Sequence, residues 1–92
     1  MYRLYKSPLK NKKYLVITPD GKKINFGAYG YDDYTIHKDV ERKKRYLKRH
    51  YKNENWLDLN TAGAWSVWLL WNKPTLKQSI DNMQKIFNIV II

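Results

Sequence analysis

All four tryptophans of this chain lie between Trp56 and Trp71, and three of them belong to one apolar stretch, Thr61–Trp71. The stretch predicts a short helix whose apolar side chains cover nearly its whole circumference. Such a helix is stable in water only at the centre of a core or beneath a partner. A chain of 92 residues has room for one core. We therefore expect the other elements to pack around this helix.

A second helix is predicted directly after the first. Asn72-Lys73-Pro74 ends the tryptophan helix because proline cannot continue it. Thr75-Leu76-Lys77-Gln78 then matches a capping box, in which Thr75 and Gln78 satisfy the first free backbone groups of a helix. Asn88 suits a left-handed stop. The apolar face between these signals consists of Leu76, Ile80, Met83 and Phe87.

The N-terminal part of the chain predicts a sheet. Tyr14–Thr18 and Lys22–Phe26 flank Pro19-Asp20-Gly21, which is typical of a tight hairpin turn. Tyr2–Tyr5 predicts a third, weaker strand, and Ile89–Ile92 a final strand added to the sheet. The expected fold is α+β: a small antiparallel sheet, made of the N-terminal hairpin and the C-terminal strand, packed with about three helices. Residues 1–92 form a single basic domain.

The remaining helix is predicted over Thr35–Lys52, with Asp33 or Thr35 as its N-cap. At 100° per residue, one narrow stripe of it is apolar and predicts the side facing the core. That stripe consists of Ile36, Val40, Leu47 and Tyr51. The opposite arc forms a basic ridge, which consists of Lys38, Arg42, Arg45, Lys48, Arg49 and Lys52.

The net charge of +10 lies wholly in residues 1–52, which hold 15 Lys and Arg against five acidic residues. Residues 53–92 hold three of each and are neutral. This asymmetry indicates a polyanionic partner, and basic heads at helical spacing suit successive phosphates. Lys22 and Lys23, with Lys10, Lys12 and Lys13, extend the predicted footprint. Tyr29 and Tyr31, in a glycine-flanked loop, are predicted to stack on bases.

Several functions are disfavoured by composition. The chain has no cysteine, so it can contain no disulfide, no thiolate zinc site and no thiol nucleophile. Met1–Lys10 does not contain the apolar run typical of a signal peptide, and Trp65–Trp71 is too short to span a bilayer. We therefore expect a soluble protein that is neither secreted nor membrane-bound.

A carboxylate cluster raises a weak possibility of catalysis. Asp32, Asp33, Asp39 and Glu41 surround His37, which leaves a metal-dependent nuclease as a minor alternative. Asp39 and Glu41 face apart on a helix, and Asp33 and Asp39 suit capping. No phosphate-binding glycine loop is present, and His50 is expected to be a packed, hydrogen-bonded residue. We expect no enzyme, metal or cofactor.

A string of residues running through most of the chain carries a family resemblance. Its members are Phe26-Gly27-Ala28, Gly30-Tyr31, Asp33-Tyr34-Thr35, His37-Lys38-Asp39, Arg42, Arg45-Tyr46, Arg49-His50, Trp56, Thr61-Ala62-Gly63, Trp65-Ser66 and Trp68-Leu69-Leu70-Trp71-Asn72-Lys73-Pro74. With them, residues 13–91 resemble a small basic protein family of large nucleocytoplasmic DNA viruses, whose function is uncharacterised. The resemblance implies a viral protein present in the infected cell and packaged in the virion.

Two hypotheses follow. The first is a non-enzymatic, sequence-tolerant nucleic-acid-binding protein, with DNA favoured over RNA, that contacts phosphates through the basic ridge, Lys22, Lys23 and Tyr29. The alternative is a structural virion component, such as a minor capsid or cementing protein that binds other virion proteins. Its predicted interface residues are Trp68, Leu70 and Trp71.

Overall fold

Three antiparallel strands and four helices follow one another in the computed structural model, which describes residues 1–92. The predicted α+β class is confirmed. No helix combines the length and the apolar character needed to cross a membrane. The elements are β1 (Arg3–Lys6), β2 (Lys12–Ile17), β3 (Lys23–Ala28), α1 (Tyr34–His37), α2 (Val40–His50), α3 (Ala62–Leu70) and α4 (Leu76–Phe87).

The sheet is a meander in which β2 pairs with both neighbours. Val16 at its centre stands opposite Leu4 of β1 and Ile24 of β3. The turn between β2 and β3 closes through two backbone bonds, from Thr18 N to the Lys22 carbonyl at 2.9 Å and from Gly21 N to the Thr18 carbonyl at 2.9 Å. The predicted hairpin and the predicted third strand near the N-terminus are therefore present.

The C-terminal run joins the sheet, but in a different way from the prediction. Ile91 forms a single parallel bridge with Tyr2, beside β1. Tyr2 N donates to the Val90 carbonyl at 2.8 Å, and Ile92 N donates to the Tyr2 carbonyl at 2.9 Å. The predicted antiparallel C-terminal strand is wrong in direction and extent, since the run contributes one bridge rather than a full strand. It pairs within its own chain.

The core lies between one face of the sheet and α3 with α4. Trp65 of α3 is fully buried, its ring centroid 5.3 Å from that of Tyr2 and 6.2 Å from that of Phe26. Its indole N–H donates to the Leu59 carbonyl at 2.9 Å, so the buried polar group is satisfied. At ~25 cal/mol per Å², burying ~150–250 Å² contributes about 4–6 kcal/mol as an upper bound. The core cluster is Val16, Ile24, Phe26, Trp65, Leu69, Leu70, Met83 and Ile91.

Helix α4 begins and ends at the residues that the sequence predicts. The Thr75 hydroxyl accepts from Gln78 N at 3.1 Å, and Asn88 adopts the left-handed conformation with φ 53°. Met83 on its inner face is fully buried. Ser79, also buried, accepts a hydrogen bond from Lys73 N at 3.0 Å through its hydroxyl, which ties the preceding loop to the helix.

The helix predicted over Thr35–Lys52 is two helices, and the single-helix prediction is wrong. Lys38 adopts a left-handed conformation with φ 56° and ends α1. Asp39 then caps α2, accepting from Glu41 N at 3.0 Å, just as Asp33 caps α1 by accepting from Thr35 N at 2.9 Å. Two strong N-caps six residues apart favour two helix starts over one continuous helix.

The break also invalidates the predicted core stripe. Ile36 is 55% exposed, Val40 50% and Tyr51 57%, and α2 has no fully buried residue. The break at Lys38 takes Ile36 out of the helical repeat of α2. Within α2 the half-buried side is the one that carries Tyr46 and His50, which leaves Val40 and Tyr51 exposed. Only Leu47 is partly buried as expected. Helix α2 is therefore a peripheral element.

Gly27 is the position in the sheet where a side chain is least tolerable. Its φ is +81°, and a Cβ there would lie 2.8 Å from Leu70 Cδ1 and 3.2 Å from Lys13 Cβ. Leu70 is part of the packed core and has little room to move. We predict that Gly27→Ala lowers the free energy of unfolding by roughly 2–4 kcal/mol, measured by urea denaturation.

Gly21→Ala is the matched control. Gly21 has a similar φ of +88° but no atom within 4 Å of the added Cβ. It should lose only about 1 kcal/mol, the cost of the left-handed backbone alone. Equal losses in the two variants would contradict the crowding at Gly27.

Candidate nucleic-acid interface

Five of the six ridge residues lie on the exposed side of α2 or directly after it. All five are exposed, and none is paired with a carboxylate. They are Arg42, Arg45, Lys48, Arg49 and Lys52. The only ion pair on this side of the helix joins Lys44 to Glu41 at 3.8 Å, and both side chains are well exposed. The structure thus leaves an uncompensated row of cations facing solvent.

Lys38 does not belong to this row. Its ammonium donates to the Thr35 carbonyl at 2.8 Å and to the Pro74 carbonyl at 2.9 Å. It therefore fastens the end of α1 to the loop between α3 and α4. The prediction that Lys38 lies on the ridge is wrong because the left-handed break takes it out of the helical repeat of α2.

A column of stacked rings holds α2 against α3. Tyr46 of α2 stacks on Trp71, centroids 4.1 Å apart and planes within 5°, and His50 stacks on the other side of Tyr46, also at 4.1 Å. Glu54 accepts from Trp56 Nε1 at 2.9 Å and bonds His50 Nδ1 at 2.8 Å. His50 is thus packed and hydrogen-bonded, as predicted.

Lys43 adds a second attachment on the same side of α2. Its ammonium donates to the Asn72 carbonyl at 2.6 Å and lies 5.0 Å from the centre of the Tyr34 ring. Burial, assisted by the positive charge of Lys73, lowers the pKa of Lys43. Because the inner side of α2 is occupied by these contacts, its arginines are directed away from them.

A cleft of about 470 Å³ separates α2 and α3 from the end of the β2–β3 hairpin that lies opposite the turn. Arg42 and Arg49 line its α2 wall, and Lys12 lines its sheet wall. Two of the three acidic residues in the cleft are already engaged, Asp33 by Lys13 and Glu54 by His50. The free charges in the cleft are therefore mostly positive.

Three further depressions share lining residues with the cleft or with one another. The first, here named the loop pocket, is lined by Lys6, Lys13, Tyr14, Tyr29, Gly30, Tyr31, Asp32 and Ile36. The lysine groove is lined by Lys6, Ser7, Pro8, Leu9, Lys10, Lys12, Lys13 and Tyr29. The helix surface is lined by Arg45, Lys48, Arg49, Tyr51 and Lys52.

Together the four depressions form a continuous basic band. Arg49 joins the helix surface to the cleft, Tyr31 joins the cleft to the loop pocket, and Tyr29 joins the loop pocket to the lysine groove. Nine Lys and Arg line the band against three acidic residues, of which only Asp32 has no partner. The basic residues are Lys6, Lys10, Lys12, Lys13, Arg42, Arg45, Lys48, Arg49 and Lys52.

Lys22 and Lys23 lie apart from this band. They follow the hairpin turn, whereas the cleft opens at the other end of β3, about 17 Å away at ~3.3 Å per residue. Lys22 also donates to the Asn60 carbonyl at 3.0 Å. The structure therefore does not place these two lysines next to the ridge, although the sequence assigned them to the same footprint. Lys6 lines the band and was missed, although its register opposite Tyr14 would follow from pairing β1 with β2.

The predicted protein-contact patch is largely internal. Leu70 is 2% exposed and belongs to the core, so its assignment as an interface residue is wrong. Trp68 is half-buried, with its indole N–H bonded to the Trp56 carbonyl at 2.7 Å. Trp71 is covered on one face by Tyr46.

Two of the four carboxylates considered for a nuclease have structural roles. Asp33 is buried, caps α1 and bonds Lys13, while Asp39 caps α2. His37 Nδ1 accepts from Asp39 N at 2.9 Å, within the connection between α1 and α2. No three of the His, Asp and Glu side chains form a group that could hold a metal ion.

These features define a small basic α+β domain with one continuous cationic band. Residues 2–50 match the Family of unknown function (DUF5754), and the chain belongs to this family. The matched part runs from β1 to α2 and contains Lys6, both loop tyrosines and all of the band's basic residues except Lys52. No curated protein and no solved structure matches the chain.

The ion pair between Lys13 and Asp33 is the main polar link between the sheet and the helices that follow it. The atoms are 2.6 Å apart, and the two side chains are 13% and 4% exposed. We predict that Asp33→Asn lowers the free energy of unfolding by about 3 kcal/mol, because Lys13 would be left without a counter-charge. Thermal or urea denaturation measures this. Asp32→Asn, at the exposed neighbouring residue, should change stability by no more than about 0.5 kcal/mol.

The ring column should make stability sensitive to alkaline pH. Burial, followed by the negative charge of Glu54, raises the pKa of Tyr46 from 10.0 to about 12. A raised pKa means that the folded state favours the protonated phenol. The stabilisation is therefore complete below pH 10 and is lost as the pH rises through about 12.

Tyr46→Phe keeps the ring but cannot ionise. Between pH 10 and 12 the wild type should lose stability more steeply than this variant, as read from urea midpoints at each pH. Tyr51→Phe, at an exposed tyrosine, is the control and should follow the wild type. Identical pH profiles for wild type and Tyr46→Phe would contradict the assignment.

Proposed function

We propose that this protein binds nucleic acid through its phosphates, without reading sequence and without catalysing a reaction. The observation that carries the proposal is the continuous basic band, in which nine Lys and Arg face three acidic residues and only Lys13 is held in an ion pair with one of them. Cations arranged in this way displace counterions from a polyanion, which supplies most of the free energy of non-specific binding.

The chemistry of the band supports tolerance of sequence. Direct reading of bases usually needs amide, hydroxyl or arginine groups aimed together at base edges in a groove. Here the arginines of α2 are spread along an exposed helix face, and the remaining cations are lysines in α2 or just after it, in β1 and β2, and in the turn between these two strands. Lysine ammonium groups act as point charges that suit phosphates.

The biological setting in this proposal comes from the resemblance to proteins of large nucleocytoplasmic DNA viruses. We propose that the ligand is viral nucleic acid in the infected cell, with DNA favoured, and that the protein accompanies it into the virion. The structural-component alternative relied on Trp68, Leu70 and Trp71 as an exposed patch. Leu70 lies in the core and both indoles are partly covered, so less of this patch is exposed than the alternative assumed.

The experiment is equilibrium binding of labelled oligonucleotides as a function of salt. Wild type should bind at about 50 mM salt, and its affinity should fall steeply as salt rises. The triple variant Arg42→Glu, Arg45→Glu and Arg49→Glu should lose about 100-fold or more in affinity. The slope of the logarithm of its affinity against the logarithm of the salt concentration should also be shallower. The expected change is ~0.9 for each lost phosphate contact on a duplex and ~0.7 on a single strand.

The matched control reverses three lysines outside the band. Lys73→Glu, Lys77→Glu and Lys85→Glu change the net charge by the same amount, and all three side chains are exposed. This variant should lose much less affinity than the arginine variant and keep most of the wild-type slope. Equal losses would show that net charge, rather than the band, determines binding, and no binding by wild type at low salt would refute the proposal.

A further inference from the structure

The loop pocket differs from the rest of the band because three of its eight lining residues are tyrosines. It encloses about 400 Å³, within the ~300–1,000 Å³ of typical small-ligand pockets. Tyr14, Tyr29, Tyr31 and Ile36 line it, with Lys6 and Lys13 beside them. A depression with these walls suits a flat aromatic group next to an anion, rather than a phosphate alone.

Two of these tyrosines are held out from the protein. Tyr29 is 69% exposed and Tyr31 74%, so neither ring contributes to the core. Their backbone is nevertheless fixed: Tyr29 N donates to the Asn11 carbonyl at 3.1 Å, and Tyr31 N donates to the Ala28 carbonyl at 3.3 Å. Each ring is therefore an exposed apolar surface on an ordered backbone, and its burial by a ligand would remove area from water at little cost in backbone order.

The loop is also anchored on its far side. Asp33, two residues after Tyr31, is buried and bonded to Lys13 on β2. The ammonium of Lys13 is consequently engaged, and Lys6 is the free cation at the pocket itself. The cleft with Arg42 adjoins the pocket on one side, and the lysine groove with Lys10 adjoins it on the other. Phosphate-binding cations thus flank an aromatic pocket in both directions.

We infer that the loop pocket receives unpaired bases and that the ligand class is single-stranded nucleic acid. This inference rests on the proposed function and narrows it. In a duplex the faces of the bases are stacked on one another and only their edges are open, so exposed tyrosine rings have nothing to stack on. In a single strand both the phosphates and the base faces are accessible, and stacking on aromatic side chains is tolerant of sequence.

The test compares four labelled ligands by fluorescence anisotropy at fixed salt. They are oligodeoxyuridylate and oligouridylate of about 16 nucleotides, the upper end of typical single-strand site sizes, a hairpin duplex with the same number of phosphates, and an abasic strand of equal length. Wild type should bind both homopolymers at least about tenfold more tightly than the abasic strand and the duplex. The tighter of the two homopolymers assigns the preferred sugar.

The double variant Tyr29→Leu and Tyr31→Leu keeps the net charge and the apolar bulk but removes the aromatic rings. It should lose about 10- to 100-fold in affinity for the homopolymers and leave the abasic strand, the duplex and the salt slope unchanged. The variant Tyr29→Phe with Tyr31→Phe should retain binding. Tyr5→Leu, at an exposed tyrosine outside the band, is the control and should bind like the wild type.

The outcomes separate this inference from the proposed function. Salt-dependent binding that is equal for duplex, abasic and single strands, and indifferent to the tyrosine variant, would overturn the inference and leave the proposed function intact. Failure of all four ligands to bind wild type at low salt would overturn both.

Discussion

The buried contact between Lys13 and Asp33 determines where most of the candidate interface lies. Lys13 is in β2 and Asp33 caps α1, so one ion pair joins the sheet to the start of the helical segment. The pair also closes the stretch that carries Tyr29 and Tyr31 and fixes the direction in which the chain approaches α2. Taking two charges out of water is costly, and here the attraction is supplemented by hydrogen bonds to Thr35. The main effect of this pair is therefore to fix the position of α1 relative to β2, rather than to add a large net free energy of folding.

The fold could be predicted from the sequence wherever a local signal decided the outcome. The turn at Gly21, the cap at Thr75 and the stop at Asn88 depend on neighbouring residues only, and all three are present. The single helix over Thr35–Lys52 failed because periodicity alone cannot weigh two competing caps, Asp33 and Asp39. The direction of the C-terminal pairing failed for another reason: it depends on a partner almost the whole chain away, which no local pattern encodes.

The residues of the candidate site also fall into two groups, those that a local sequence pattern predicts and those that long-range contacts bring into place. The exposed arginines of α2 were predictable because helical spacing places them on one side whatever the helix packs against. The sequence named Lys10, Lys12 and Lys13 for the footprint, and all three line the band. The choice between Lys6 and the lysines at the hairpin turn was not predictable, because it depends on the end of the hairpin that α2 faces. The stacking of Tyr46 on Trp71 and the Lys13–Asp33 pair make that choice, and both are long-range contacts. Hence Lys6 belongs to the band, while Lys22 and Lys23 lie at the distant turn.

The bridge between Tyr2 and Ile91 affects how the chain folds during its synthesis. Because the edge of β1 is covered by residues from the opposite end of the sequence, this edge stays open during synthesis until Ile91 has emerged from the ribosome. Until then the growing polypeptide carries an unpaired strand edge together with a high positive charge, and repulsion between copies limits their association.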